Sequence, residues 1–363
     1  MARADKAGPG RVLKVALVGA GNVGARYAAR IAEEPRLELA GVTDAVSERA
    51  AALVDLHGGR VYESLDALLA DDGVDVVVNL TPPSAHVAVT TAALEARKHV
   101  HSEKPVALRA YDARQLAALA DRNGVRLSCA PATLLGEAQQ TAWKLVRDGL
   151  VGTVRAVYAE ANWGRIERWH PTPETLYEVG PLVDVGIYPL TILTAMFGAA
   201  RRVSAYATTL DRDRVRRDGR PFSLPTPDFY VATIELATGV VVRLTATYWV
   251  GPDRQRGIGL HGESGSLWMP TWADSDSRLV LSVDGETDTA IPLLREPYHG
   301  IDWACALLDL EDALAEERPH RMGPEHAAHV LDVLEAVEAS AAGGAVVEVA
   351  SDFARPQPLD WAR

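Results

Sequence analysis

Two cysteines, Cys129 and Cys305, are all that the 363-residue chain carries. They are too few and too far apart for a disulfide framework or a zinc motif, so no metal is expected and a reduced, cytoplasmic setting is. Positive charge is also scarce: 37 Lys and Arg against 49 Asp and Glu leave a formal charge of −12 and a pI near 5.3. That balance speaks against nucleic acid or an anionic membrane as partner, because basic patches supply the attraction to both. It permits a small anionic ligand, since one local Arg or a helix N-terminus outweighs net charge at close range. No stretch approaches the ~18 to 20 apolar residues of a membrane span. The first eleven residues, MARADKAGPGR, lack the apolar core of a signal peptide, and residues 1–10 are expected to form a frayed tail. Neither an internal repeat nor a low-complexity segment is visible.

What is present is a chain with 48% apolar residues, long enough for two domains with their own cores. Its two halves have different periods. Over residues 11–130, short apolar runs alternate with helical spacings. Val12–Val18, Leu37–Thr43, Val74–Leu80, Lys98–His101 and Val125–Ala130 read as strands, and 23–34, 47–56, 64–70, 84–97 and 106–122 as helices. Strand–helix alternation predicts an α/β domain with a parallel Rossmann-type sheet. Over residues 131–363 the strands lengthen and alternate more clearly, at Val154–Trp163, Arg202–Leu210, Phe229–Ala237, Val240–Trp249 and Arg278–Val283. Turn signals at Thr238-Gly239 and Asp284-Gly285 predict hairpins. An α+β domain with an open, mostly antiparallel sheet follows, completed by helices over Ile301–Glu317 and Pro324–Ala339. One face of that sheet is left without a helix cover, which predicts a homodimer or homotetramer formed through it. The charged stretch Leu210–Pro227 is expected to be an exposed excursion.

Gly19-Ala20-Gly21-Asn22-Val23-Gly24 fits G-x-G-x-x-G after a strand and at the opening of a helix. The first glycine permits the tight turn, the second lets a pyrophosphate approach the backbone, and the third lets helix and strand pack closely. The helix N-terminus then faces the phosphates. Gly19, Gly21, Asn22, Val23 and Gly24 are therefore cofactor candidates. Asp44 ends the second strand, where a carboxylate accepts from the adenosine ribose hydroxyls and repels a 2′-phosphate. NAD is the expected cofactor, with NADP as the alternative; helix capping is the competing role for Asp44. In Thr81-Pro82-Pro83-Ser84-Ala85-His86 the prolines force an extended turn at a strand's C-terminal end, the ligand edge of such a sheet. Thr81, Pro82 and His86 join the cofactor candidates, with packing as the competing role for His86.

These motifs, together with Glu103-Lys104-Pro105 at the end of a strand, resemble the glucose–fructose oxidoreductase/inositol dehydrogenase (Gfo/Idh/MocA) family. Gly180-Pro181-Leu182-Val183-Asp184-Val185-Gly186-Ile187-Tyr188 is similar to the family's second signature, and Arg318-Pro319-His320-Arg321 to the lead into its last helix. The resemblance implies that Lys104 reaches the substrate oxygen from the nicotinamide side, and it suggests a cis Lys104–Pro105 bond. It further implies that Glu103 anchors the loop or contacts the cofactor ribose, and that Asp184 binds a substrate hydroxyl or orients the acid/base. Two departures stand out. Glu178-Val179-Gly180 replaces the usual triple glycine, and Tyr188 occupies the usual catalytic histidine position. Asp-x-Gly-x-Tyr-Pro is closer to the dihydrodiol and xylose dehydrogenase branch, whose members often prefer NADP. A phenol beside an ammonium is a workable proton relay for a carbonyl. On a helix, Asp184 and Tyr188 share one face.

The segment 162–171 holds Trp169 and His170, taken as substrate-wall candidates because indole faces stack on sugar rings and imidazole bonds hydroxyls. The expected activity is NAD(P)-dependent hydride transfer to or from a secondary alcohol or ketone of a sugar, cyclitol or related polyol. Two alternatives are a glycosidase-like enzyme with a retained nicotinamide cofactor and a cofactor-sensing regulator without turnover.

Overall fold

The computed structural model describes residues 12–251, 255–283 and 286–363. The expected tail over residues 1–10 and the Asp284-Gly285 turn lie outside the described residues. The chain divides into two compact units, one made of residues through Ala132 plus Asp302–Ala328, the other of Thr133–Ile301 plus His329–Arg363.

The first unit contains β1 (Leu13–Val18), β2 (Leu37–Thr43), β3 (Arg60–Val61), β4 (Val76–Asn79), β5 (His99–Ser102) and β6 (Leu127–Cys129), ordered β3-β2-β1-β4-β5-β6. Every pairing is parallel. Helices cover the sheet, so the central strands β1 and β4 are mostly apolar, β4 rich in valine, and buried along most or all of their length. The strand order reverses between β1 and β4, and the crevice at their C-terminal ends is where such sheets bind ligands. Asp302–Ala328, expected in the second domain, packs here instead. The reason is apolar burial: Leu307 and Leu310, from the helix Cys305–Ala315, enter the same core as Leu13, Val15, Ala28 and Ile31. Trp303 meets Tyr27 edge-on at 5.4 Å, and Arg30 pairs with Asp302 at 2.9 Å.

The second unit contains β7 (Val154–Asn162), β8 (Ala200–Thr208), β9 (Asp213–Val215), β10 (Pro221–Ser223), β11 (Phe229–Leu236), β12 (Val241–Thr247), β13 (Gly257–Gly262), β14 (Ser266–Met269), β15 (Leu279–Ser282), β16 (Thr289–Ile291) and β17 (Val347–Glu348). Nine of them form one sheet, β16-β15-β14-β13-β7-β12-β11-β8-β17, in which β12 and β7 run parallel and the other pairs antiparallel. Period-two alternation decides the faces. Val203, Ile234, Val242, Val157, Leu260 and Leu267 align across the register as a buried row. The adjacent row, Ser204, Thr233, Arg243 and Tyr158, lies on the opposite face. Helical residues reach the buried face closely: a Cβ on Gly186 would sit 3.5 Å from that of Ala246.

Two expectations change here. The stretch Leu210–Pro227 is more than an exposed excursion. It forms the β9–β10 hairpin, and Arg214 within it is fully buried, bonded to Glu167 and Asp228. The helical run Glu174–Phe197 is, by length and composition, apolar enough to cross a membrane, which the sequence reading did not foresee; most of it is buried inside the protein.

Candidate active site

In the first unit, β1 ends in a turn shaped by contacts that leave no room for side chains. Gly19 has φ +111, and a Cβ there would lie 2.7 Å from the Leu80 carbonyl oxygen. A Cβ on Gly24 would lie 2.6 Å from the Gly19 oxygen, so the helix Asn22–Glu33 sits directly against the turn. Gly21 differs: a Cβ there would meet nothing within 4 Å. Gly21 is the helix N-cap and supplies no capping side chain, so no side-chain cap covers the N–H groups of Asn22, Val23 and Gly24. Open space over an uncapped helix N-terminus fits a dinucleotide pyrophosphate.

Asp44 is engaged with backbone. Its Oδ2 accepts from Ala20 N at 2.7 Å and its Oδ1 from Val46 N at 2.8 Å. It thus fixes the glycine turn, and a carboxylate with about four lone-pair sites retains capacity for ribose hydroxyls.

The turn after β4 is held by Asn79, a buried polar side chain that carries no motif signal of its own. Its Oδ1 accepts from the Thr81 hydroxyl at 2.7 Å, while its Nδ2 donates to the His86 carbonyl and the Thr90 hydroxyl, each at 3.0 Å. Pro82 is extended and Pro83 opens a short 3-10 turn. His86 is buried, with Nδ1 2.7 Å from the Pro105 oxygen and Nε2 2.7 Å from the Thr81 oxygen. Both ring nitrogens face backbone, so His86 is a strut between the Thr81 turn and the lysine loop.

Lys104 follows β5, and the Lys104–Pro105 bond is cis. Glu103 anchors this loop: Oε2 accepts from Lys104 N and Oε1 from the Tyr27 hydroxyl, each at 3.0 Å. The tyrosine oxygen lies 3.0 Å from His101 Nε2, and His101 Nδ1 lies 3.0 Å from the Ser128 hydroxyl. Burial lowers the His101 pKa to about 3, so the ring is neutral, and Nε2–H is the tautomer that lets Tyr27 donate onward to Glu103. The glycine-turn helix and the lysine loop are therefore tied by a buried relay.

In the second unit, Gly180 breaks the helical run with φ +78, and its Cβ position faces Thr226 Oγ1 at 3.2 Å. The chain then makes a wide π turn over Leu182–Gly186 before the helix Ile187–Phe197. Asp184 stands in that turn and accepts from the Tyr248 hydroxyl at 2.6 Å. Burial first, then Asp184, pushes the Tyr248 phenol well above its ordinary range, so it remains a donor. Tyr188 opens the next helix, its ring 4.7 Å from Trp272. Trp169 and His170 pack edge-on against each other at 5.4 Å; the ring against Tyr188 is Trp272. His170 Nδ1 accepts from Thr172 N at 3.1 Å.

Beside these residues, Glu167 accepts from Tyr177 at 2.6 Å, from Arg165 at 2.6 Å and from Arg214 at 3.0 Å. Burial raises its pKa, and these bonds reverse the shift, leaving it below the ordinary value. Tyr177 meets Tyr248 edge-on at 5.3 Å, which links this cluster to Asp184.

A family model described as an oxidoreductase family with an NAD-binding Rossmann fold matches residues 13–130, and a second, described as the GFO/IDH/MocA C-terminal domain, matches residues 139–268. The dTDP-3,4-didehydro-2,6-dideoxy-alpha-D-glucose 3-reductase of Streptomyces violaceoruber is 31% identical over 57% of this chain and 60% of its own length. The match thus spans under two thirds of that relative. The UDP-N-acetylglucosamine 3-dehydrogenase of Acidithiobacillus ferrooxidans is 27% identical over 85% of this chain and 90% of its own. Among solved structures, the aldose-aldose oxidoreductase of Caulobacter crescentus shares the fold with a TM-score of 0.81 at 24% identity, over 93% of this chain and 100% of that one. The chain belongs to the Gfo/Idh/MocA family of oxidoreductases.

Proposed function

We propose that this protein is an NAD(P)-dependent oxidoreductase acting on a secondary alcohol or ketone of a sugar, cyclitol or related polyol. The observation that carries the reading is the open, uncapped helix N-terminus at Gly21, in a unit that matches the family's NAD-binding fold. When bound, the nicotinamide supplies or accepts the hydride. The remaining work falls to the protein. Lys104 places positive charge at the substrate oxygen and favours its alkoxide or polarised carbonyl. Tyr188 moves the proton at that oxygen. Asp184, held by Tyr248, orients a substrate hydroxyl or the acid/base. Asp44 favours NAD over NADP by refusing a 2′-phosphate. Trp169, half exposed at 48%, and His170 serve as outer substrate wall.

The first unit is read as the nucleotide domain and the second as the substrate and assembly domain. Self-association through the outer face of the nine-stranded sheet is supported by Tyr158 and Tyr206, 43% and 62% exposed. A dimer or tetramer built on it predicts a multimeric mass in light scattering; a monomer at micromolar concentration removes this part of the reading. Both cysteines are unpaired, which supports a reducing, cytoplasmic setting.

The test is a panel of sugars, inositols and their keto forms, followed by the absorbance of the reduced nicotinamide with NAD and with NADP. Turnover of at least one polyol–ketone pair is expected. Cleavage of glycosides without net reduction of added cofactor points instead to the glycosidase-like alternative, and nucleotide binding without any turnover to a regulator.

A further inference from the structure

The second unit holds a cation that the proposed chemistry does not use. Arg256 immediately precedes β13 and its guanidinium lies over two indoles, 4.5 Å from the Trp163 ring centroid and 4.8 Å from that of Trp272. Trp272 is the ring stacked on Tyr188 at 4.7 Å. Trp163 follows β7 directly and is 6.0 Å from Trp272, so the three aromatic rings and the guanidinium form one cluster. The Nε of Arg256 is buried without a hydrogen-bond partner, and no carboxylate among the described residues lies in ion-pair contact with the guanidinium. Several neighbouring arginines of this unit are paired with carboxylates, Arg214 with Glu167 and Asp228, Arg165 with Glu167 and Arg216 with Glu174, and the part-buried Arg355 bonds two backbone carbonyls.

An indole face gives a guanidinium some cation–π stabilisation. It does not replace the hydrogen bonds that a desolvated cation loses. Burial works against the charge of Arg256, opposed by Asp274 and Tyr188, and arginine does not answer by giving up its proton. An anion brought from outside supplies both the missing acceptor and the opposite charge, which a water does not. A planar guanidinium with several donors suits a carboxylate or a phosphate ester.

We propose that Arg256, backed by Trp163 and Trp272, is the specificity residue for an anionic group on the substrate, a carboxylate or phosphate ester on the same polyol whose carbinol meets Tyr188. The inference rests on the oxidoreductase reading for its catalytic arm only. The indoles hold the guanidinium in place, so the anion finds a positioned charge and the polyol ring is turned in a fixed sense relative to the tyrosine.

The experiment compares matched substrates: a neutral aldose, its uronate and its phosphate ester, each assayed for kcat/KM in wild type, Arg256→Met and Arg256→Lys. A charged hydrogen-bonded contact corresponds to a preference on the order of 10- to 100-fold for one acidic member over the neutral parent. Arg256→Met, which keeps the stem against the indoles, collapses that ratio toward one, and Arg256→Lys restores part of it. Preference for the uronate or for the ester identifies the anion. A wild type that favours the neutral aldose, or a ratio that survives Arg256→Met, overturns the assignment while leaving the oxidoreductase reading intact. If nothing is turned over, the indoles supply a second readout. Saturable quenching of tryptophan fluorescence by the uronate or ester, weakened about tenfold in Arg256→Met, supports the anion site even as the catalytic reading fails. Absence of any saturable change in the folded wild type sinks it.

Discussion

The residues around Lys104 in the first unit and those around Asp184 and Tyr188 in the second are held by different means. Around Lys104 several supports are short-range or reach backbone, with Glu103 taking its neighbour's N–H, Asn79 the hydroxyl two residues on and His86 facing two carbonyls, and the Tyr27–Glu103 bond adds a long-range tie. Around Asp184 and Tyr188 they are side chains distant in sequence: Tyr248 on Asp184, Trp272 against Tyr188, and Arg214 on Glu167. Backbone geometry is encoded by glycine, proline and acidic residues at fixed offsets. Side-chain support over long separations is encoded only in the assembled sheet.

The comparison can be broken most severely at Tyr188 and Lys104. Tyr188→Phe removes one hydroxyl and is expected to lower turnover by ~10²–10⁴. Tyr188→His, which restores the residue usual in the family, should recover part of it. Lys104→Met keeps the stem and removes the charge, with an expected loss of ~10²–10³. Steady-state kinetics beside cofactor calorimetry check both, since nucleotide binding should survive in each. Near-normal turnover in Tyr188→Phe would transfer the proton to Asp184 or a water.

Two glycines separate binding from folding. Gly21→Val fills the open space above the helix N-terminus and should abolish nucleotide binding in a protein that melts as the wild type does. Gly24→Val collides with the Gly19 carbonyl and should lower the melting temperature as well. Equal melting of the two variants would show that the close approach at Gly24 matters less than its geometry indicates.

In the second unit, Arg214→Met leaves Asp228 buried without its cation and Glu167 with the Arg165 cation alone. Breaking such a pair costs on the order of 3–5 kcal/mol, read as a lower denaturation midpoint.

The smallest effect concerns acid stability. His101 is fully buried, and desolvation places its pKa at about 3, below the unfolded value of 6.5. As pH falls below 6.5 the unfolded chain takes up a proton that the folded ring refuses, so stability declines until the folded pKa is reached. His99 and His329, each lowered to about 4 chiefly by burial, act in the same direction. Between pH 6.5 and 5 the His101 contribution is about 2 kcal/mol. His101→Gln should flatten that part of the pH–stability curve; an unchanged slope would place the acid response elsewhere.

Much of the first unit was legible because its signals are local. The glycine turn, the Thr-Pro-Pro corner and Glu-Lys-Pro each occupy a few consecutive residues. Tyr27 carried no such mark: its apolar helical spacing is visible, but its hydroxyl finds Glu103 and His101 only once β5 lies beside the helix. In the second unit the strands were visible from their alternation. Tyr248 and Trp272 read as ordinary strand and loop aromatics, and Arg214 as one charge in a charged run. Their partners lie at a separation of 64 residues for Tyr248 and Asp184, and of 47 for Arg214 and Glu167. The π turn was equally hidden, since the Asp184 segment carries the composition of a plain helix.

The return of Asp302–Ala328 to the first unit bears on how this chain can be recombined. A fragment ending at Ala132 lacks Trp303, Leu307 and Leu310, so it leaves bare the apolar surface around Tyr27 and Ile31. The nucleotide module therefore cannot be excised or grafted with a single cut in the gene. A transplant needs both pieces, joined by a linker in place of Thr133–Ile301. The second unit is likewise in two pieces, Thr133–Ile301 and His329–Arg363, so the units interleave along the chain, and a chimaera that exchanges the second unit has to exchange both pieces.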